Sequence, residues 1–257
     1  MTPIQTVLLF AALLPQGGAQ DPLPKGEAIM DRYVAVTGGR EAYERRRTEV
    51  RTITMEVKGR DLRFPVTVYR AQPNKGYSIS DIPGMGKVEE GTDGEVAWGL
   101  TSARGAVIKQ GTERDMALYG AVMNVDVRWR EFFPTAETAG IEQIDGRTCY
   151  KLLLTATDGN QHTRYYEKET GFLAKVVLKV TTPQGQFPVD LLLYDYRPAG
   201  GVVQSHRGVR VLPGQEIESR LEKLETNVEI DPSRFALPEA VKALIEKQKA
   251  GTPASQR

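Results

Sequence analysis

The chain is poor in the residues that most often carry chemistry. Among 257 residues there is one cysteine, Cys149, and there are two histidines, His162 and His206, far apart in sequence. A single thiol excludes an intramolecular disulfide framework and any cysteine-based zinc site. Two distant imidazoles argue against a histidine-rich metal site, and neither a metal nor a cofactor is expected. An excess of charge is also missing: 34 Lys and Arg stand against 33 Asp and Glu, a net of +1. That balance gives no broad basic field and argues against nucleic acid as a partner. No later apolar run approaches the roughly 20 residues that cross a bilayer. The sequence contains no GxSxG elbow, no HExxH helix and no P-loop. Gly84-Met-Gly86 lacks the third glycine of a dinucleotide fingerprint and reads as a flexible hairpin.

What is present is enough apolar material for a substantial core, 40% hydrophobic residues with 26% charged. Residues 7–14 (VLLFAALL) are too short to span a membrane and are followed by small residues up to Ala19. This fits a secretory signal over 1–19, although no Lys or Arg precedes the run. The alternative is a buried N-terminal strand or helix. With a cleaved signal the protein is expected to be periplasmic, with a single domain over 20–250 and a loose tail over 251–257. A monomer is expected.

Residues 25–47 carry helical spacing, with Ile29, Tyr33, Val34 and Val36 near one face and a break at Gly38-Gly39. Arg45-Arg46-Arg47 reads as a solvated helix end or, more sharply, as a contact for anionic lipid headgroups. From Thr48 the period changes to two. Ile53, Met55 and Val57 alternate with Thr52, Thr54 and Glu56, and Leu62, Phe64, Val66 and Val68 alternate on the next segment. Strands are predicted onward to residue 110, with a tight turn at Asp93-Gly94. They resume over 139–144, 147–156, 161–167, 172–182, 186–196, 203–211 and 215–226. The short links between them require antiparallel neighbours. A last helix is predicted over 238–249.

Residues 111–133 interrupt the strands. Thr112 is a candidate N-cap, and Met116, Tyr119 and Met123 form a helical stripe. The segment reads either as a helix packed on the sheet or as a mobile amphipathic lid, for which methionine is suited. The strands Leu152–Leu154, Val176–Leu178 and Leu191–Leu193 are apolar on both faces. One face meets covering helices and the other lines a cavity, as in a curled sheet that does not close. The candidate ligand-cavity residues are Phe64, Val66, Met116, Tyr119, Met123, Leu152, Leu178 and Leu191. Asp190 and Asp195 point to opposite sides and make no carboxylate pair. His206 has no evident acid or nucleophile partner, and Cys149 reads as a small core residue rather than a nucleophile.

Residues 30–46 (MDRYVAVTGGREAYERR), Asp93-Gly94 with Trp98, residues 129–133 (WREFF), Asp145-Gly146, residues 165–173 (YYEKETGFL), residues 195–197 (DYR) and residues 235–238 (FALP) occur in this order. Over roughly residues 25–240 the chain resembles exported outer-membrane lipoprotein-sorting-like proteins, related to the LolA and LppX carriers. The resemblance implies a mostly β, α+β fold: a curved antiparallel sheet forming an incomplete β-barrel over helices, with an apolar cavity for acyl chains. It implies a non-enzymatic carrier of lipid or acylated lipoprotein, with an envelope receptor as a further partner. The rival expectation is a cell-envelope interaction module with a filled core. The chain departs from the resemblance at residues 202–206 (VVQSH), and no arginine here matches the gating arginine of LolA, so no functional residue is carried over.

Overall fold

The computed structural model describes residues 22–157, 159–182 and 185–251. The expected signal over 1–19 and the tail from residue 252 lie outside these. Two helices come first, α1 (Gly26–Val36) and α2 (Gly39–Glu44). Six strands follow: β1 (Thr48–Val57), β2 (Leu62–Ala71), β3 (Lys75–Ile82), β4 (Gly86–Thr92), β5 (Ala97–Thr101) and β6 (Gly105–Ile108). Helices α3 (Gly111–Ala121) and α4 (Trp129–Phe132) interrupt them. Seven strands then complete the sheet: β7 (Thr135–Ile144), β8 (Arg147–Thr155), β9 (Gln161–Glu167), β10 (Leu173–Thr182), β11 (Gly185–Ala199), β12 (Val202–Leu212) and β13 (Gln215–Thr226). A 3-10 turn over Pro232–Phe235 and helix α5 (Glu239–Gly251) close the described chain.

All thirteen strands form one antiparallel, curved sheet in the order β6-β5-β4-β3-β2-β1-β13-β12-β11-β10-β9-β8-β7. The first and last strands, β1 and β13, pair in its middle. Its edges, β6 and β7, do not pair, so the barrel stays open. The expected incomplete barrel is therefore present. The segment from 109 to 134 runs from one edge strand to the other.

The pairing register decides which side chains share a face. Arg51, Ile53 and Met55 of β1 stand beside Val68, Val66 and Phe64 of β2. On the other side a register shift between Thr52 and Ile53 brings Leu221 and Ser219 of β13 beside Ile53 and Met55. The row continues through Gly208 of β12 and Leu193 of β11. Leu191, Val176, Arg164 and Leu152 carry the same face across β11, β10, β9 and β8. This is the inner face.

Helix α1 covers the β7–β10 end of the inner face. Ile29, Met30 and Tyr33 recur at helical spacing and pack with Trp129, Phe133, Leu152, Leu154 and Tyr166. The helix approaches β7 so closely that a Cβ on Gly26 would lie 2.3 Å from the Ala136 carbonyl oxygen. At the opposite end α3 lies on the inner face, its Ala121 against Gly76. Helix α5 takes the outer face there, where Phe235 and Val241 pack on Tyr77 and Trp98. A Cβ on Gly91 would meet the Trp98 ring at 2.7 Å, so glycine makes room for the indole. A smaller outer cluster holds Ile144, Cys149, Tyr165 and Ala174. Cys149 is fully buried and burial pushes its thiol up to about 11, the behaviour of a core side chain.

Several expectations change. The break at Gly38-Gly39 is where it was expected, but Val36 faces solvent rather than the core. Strand β7 begins at Thr135, four residues earlier than its alternation suggested. Thr112 lies inside α3 and caps nothing; the helix starts after Gln110 with no side-chain cap. The proposed stripe breaks because α3 stops at Ala121 and Val122 is extended, leaving Met123 beyond it. Gly251 belongs to α5 and not to the tail. Arg46 is not a solvated helix end: it is 6% exposed and bonded to Glu49.

Candidate functional site

A cavity of about 380 Å³ lies over the middle of the inner face. Its floor comes from Ile53, Leu221, Ser219, Gly208, Leu191 and Leu193 on β1, β13, β12 and β11. Its other walls include Tyr33 of α1, Tyr43 of α2, Arg46 just after α2, and Asp126 between α3 and α4. The space exists for local reasons. Helix α1 stops at Thr37, whose hydroxyl donates to the Tyr33 carbonyl at 2.6 Å and accepts from the Tyr43 hydroxyl at 2.8 Å. The chain then reverses through Gly38, and the sheet below presents small side chains at Gly208 and Ser219.

One end of the cavity is strongly charged. Glu49 is 1% exposed and accepts hydrogen bonds from three guanidinium groups. Arg51 Nε donates to Glu49 Oε1 at 2.7 Å and Arg51 Nη2 to Oε2 at 3.1 Å, a two-point contact. Arg70 Nη1 donates to Oε1 at 3.3 Å, and Arg46 Nη2 donates to Oε2. Burial alone would raise the Glu49 carboxyl, but Arg51, Arg70 and Arg46 hold it down at about 2. Burial and the neighbouring Arg51 pull the Arg70 guanidinium down to about 10, still protonated at neutral pH. The backbone fixes Arg46: its carbonyl accepts from Gln72 Nε2 at 2.7 Å and Asn124 Nδ2 at 3.2 Å.

Three cations meet one carboxylate here, and Arg46 Nε is buried without a hydrogen-bond partner among the described residues. Asp126 stands nearby with no hydrogen bond or ion pair of its own among them. Burial pushes its carboxyl up against the pull of Arg164, Arg46 and Arg51. Away from this end Ile53, Leu221, Leu191 and Leu193 form an aliphatic stretch, and Gln204, Ser205, His206 and Arg210 line the same cavity beside it.

His206 also lines the cavity, its Nδ1 3.0 Å from the Gln204 carbonyl oxygen. The neighbouring Ser205 hydroxyl lies 2.8 Å from each of the Tyr194 and Arg207 carbonyl oxygens and is spent on the backbone. Asp190 pairs with Lys175 at 2.5 Å and Asp195 with Arg197 at 2.7 Å, so the two carboxylates are apart. Among the described residues no three His, Cys, Asp or Glu side chains come together as a metal site. No described helix is long and apolar enough to cross a membrane.

Of the residues expected to line a cavity, Leu191 does so. Phe64 and Val66 share its face and stand, half-buried, in the rows of Met55 and Ile53. Leu152 is 0% exposed and belongs to the core under α1. Tyr119 packs edge-on against Phe132 and Phe133 at 5.3 and 6.0 Å, and its hydroxyl accepts from Arg164 Nη2 at 2.8 Å. Met116 is 40% exposed and Met123 is 3% exposed, and neither lines the cavity. Leu178 lies in β10, with its side chain outside what the structure describes. Sequence reasoning missed Glu49, Arg51, Arg70 and Asp126, and singled out Arg46 only as one of the Arg45–Arg47 run. For two of them a signal was there. The apolar series Val57, Met55, Ile53 continues at the same spacing as Arg51 and Glu49, so charges occupy inward positions.

No protein-family model and no curated protein sequence matches the chain. Solved structures do. A DUF1329 family protein from Desulfovibrio piger superposes with a TM-score of 0.56 at 14% identity, covering 83% of this chain and 98% of that one. A LolA superfamily protein from Nitrosomonas europaea gives 0.55 at 13% identity, covering 84% and 99%. An outer membrane lipoprotein-sorting protein domain from Vibrio parahaemolyticus gives 0.51 at 11% identity, covering 82% and 95%. At these identities the likeness is one of architecture, and the chain has the LolA-like fold.

Proposed function

We propose that this protein is an exported, non-enzymatic carrier that holds the acyl chain of a lipid in the central cavity. The observation that carries this is the cavity itself. Both ends of the inner face are packed by helices, while the middle keeps about 380 Å³ of space against an aliphatic floor. That volume is at the lower end of the roughly 300–1,000 Å³ typical of ligand pockets. A methylene is about the size of a water, near 30 Å³, so the space takes on the order of a dozen. That suits one chain better than the several chains of an acylated lipoprotein. At about 0.8 kcal/mol per methylene, burial contributes roughly 10 kcal/mol before ordering costs. The named relatives include a LolA superfamily protein and a lipoprotein-sorting domain, which agrees with this class of cargo.

The test is expression of the full chain with export, purification from the periplasm, and native mass spectrometry with lipid extraction. An acyl-bearing molecule at one per protein is expected, and Leu193→Trp should empty the site while the protein stays folded. Ligand-free protein that also fails to bind the apolar probe N-phenyl-1-naphthylamine would end this reading. The intact mass reports export: a mature N-terminus near Gln20 supports it, and retained Met1 in the cytoplasm overturns it. A second reading, docking of an envelope partner, rests on Val107 and Ile141, exposed on the two unpaired edge strands. It predicts a ligand-free protein whose partner capture is lost in Ile141→Lys.

A further inference from the structure

The charged end of the cavity exceeds what structure alone requires. Glu49 neutralises one of the three guanidiniums that it binds, which leaves these four side chains with two net positive charges beside the cavity. A carboxylate offers about four acceptor sites. Glu49 fills them with two bonds from Arg51 and one each from Arg70 and Arg46, so the remaining N–H groups have no acceptor on it. Arg46 is more than nine-tenths buried, lines the cavity and keeps Nε without a partner among the described residues. Asp126 is the carboxylate on the cavity wall, and it makes no ion pair among the described residues. Along β1 the wall changes from Arg51 to Ile53 in one step of the inward series. A cationic cluster therefore adjoins the aliphatic stretch of one cavity, whose wall also carries His206 and Arg210.

We propose that the cavity selects a single-chain amphiphile with an anionic head group, a carboxylate or a phosphate, seated against Arg51, Arg70 and Arg46 with the tail over Ile53, Leu221 and Leu193. This rests on the carrier function proposed above and deepens it. The head group supplies the acceptors that the cluster lacks and neutralises its excess charge. Charge-assisted bonds of this kind in a partly dry site are stronger than in water. Asp126 opposes the head group, so it limits affinity and makes the ligand releasable.

The experiment measures displacement of N-phenyl-1-naphthylamine from the exported, delipidated full chain by dodecanoic acid, dodecyl phosphate, dodecanol and inorganic phosphate, at pH 7.5. The acid and the phosphate ester should bind about tenfold or more tighter than the alcohol, the scale of one charged hydrogen-bonded contact. Inorganic phosphate alone should compete only at far higher concentration. Arg70→Gln should shrink the acid-over-alcohol ratio to a few-fold without weakening dodecanol, and Asp126→Asn should enlarge it. Equal binding of acid and alcohol overturns the head-group assignment and leaves the carrier reading standing. Competition by inorganic phosphate as strong as by dodecyl phosphate assigns a free-anion site and overturns it too. Binding of no amphiphile at all overturns both. If Arg70→Gln does not fold, the wild-type ratio and the Asp126→Asn ratio decide alone.

Discussion

The two stretches of the inner face are built from the same kind of alternating strand, yet one is filled and the other is hollow. Over β7–β10 the inward residues are large and meet α1: Leu152 and Leu154 are fully buried, with Tyr166 against Tyr33 at 5.5 Å and its hydroxyl 2.9 Å from Met30 Sδ. Over β1, β13, β12 and β11 they are of mixed size, from Gly208 and Ser219 to Leu193, and the cover is mixed too: Tyr33 and Tyr43 from the helices, and the charged Arg46 and Asp126 from the connecting chain. On its inner face, then, this sheet acquires a packed core where a helix brings bulk to it. Where α1 ends, the same face becomes a container. The clamp between helices follows the filled side: Arg130 makes a two-point contact to Asp31 at 3.0 and 2.8 Å, tying α4 to α1.

The largest effect that sharpens this contrast is expected at Glu49. Replacing it in Glu49→Gln leaves three guanidiniums facing one another in a buried place, at a cost of about 3–5 kcal/mol in denaturant unfolding at pH 7. The acid profile checks the same group. Its folded value of about 2 lies below the ordinary unfolded value near 4.3, so its stabilisation is present above that value and is lost as pH falls toward 2. The loss is on the order of 3 kcal/mol, and Glu49→Gln should lack it. A profile unchanged by the substitution would show that the cluster does not hold the hollow end together.

The filled and hollow stretches are compared directly by one truncation in each. Leu152→Ala should cost about 2–5 kcal/mol, because a packed site cannot collapse. Leu193→Ala, which enlarges an existing space, should cost less than about 1.5 kcal/mol in the ligand-free protein. Equal losses would mean that the cavity floor is as tightly packed as the core. The smallest effect concerns α3. Met116→Asp should change stability by no more than about 0.5 kcal/mol and leave probe binding intact, since Met116 is exposed and away from the cavity. A fall in binding would restore α3 as a cover of the site.

Much of the fold was legible. Period-two alternation with short turn links gives an antiparallel meander, and the family resemblance carried by the strand-and-turn motifs implied the open barrel. The cavity was harder to see. Leu191, Phe64 and Leu152 occupy equivalent places in the alternation, and only the end point of α1 separates the lining residue from the buried one. The methionine stripe failed because helical spacing was extended past Ala121, where the chain leaves the helix to reach Asn124, a residue with φ of 58°. The solvated reading of Arg46 failed for a different reason. Arg46 is indistinguishable from Arg45 and Arg47 in sequence, and its burial depends on Glu49 and on carbonyl contacts from Gln72 and Asn124. Charges at inward positions of an alternating strand were the available sign.

The pairing of β1 with β13 has a consequence for how the molecule comes into being. Every other strand pair joins neighbours in the chain, so each half of the sheet can zip up locally, hairpin by hairpin. The β1–β13 seam alone unites residues separated by most of the polypeptide, and its closure carries the largest loop entropy. Ile53 and Leu221, which face each other across that seam, are both part of the cavity floor. The cavity is thus absent from either half-sheet and is completed by the last long-range contact, so a truncated or nascent chain has no such space before its ends have met.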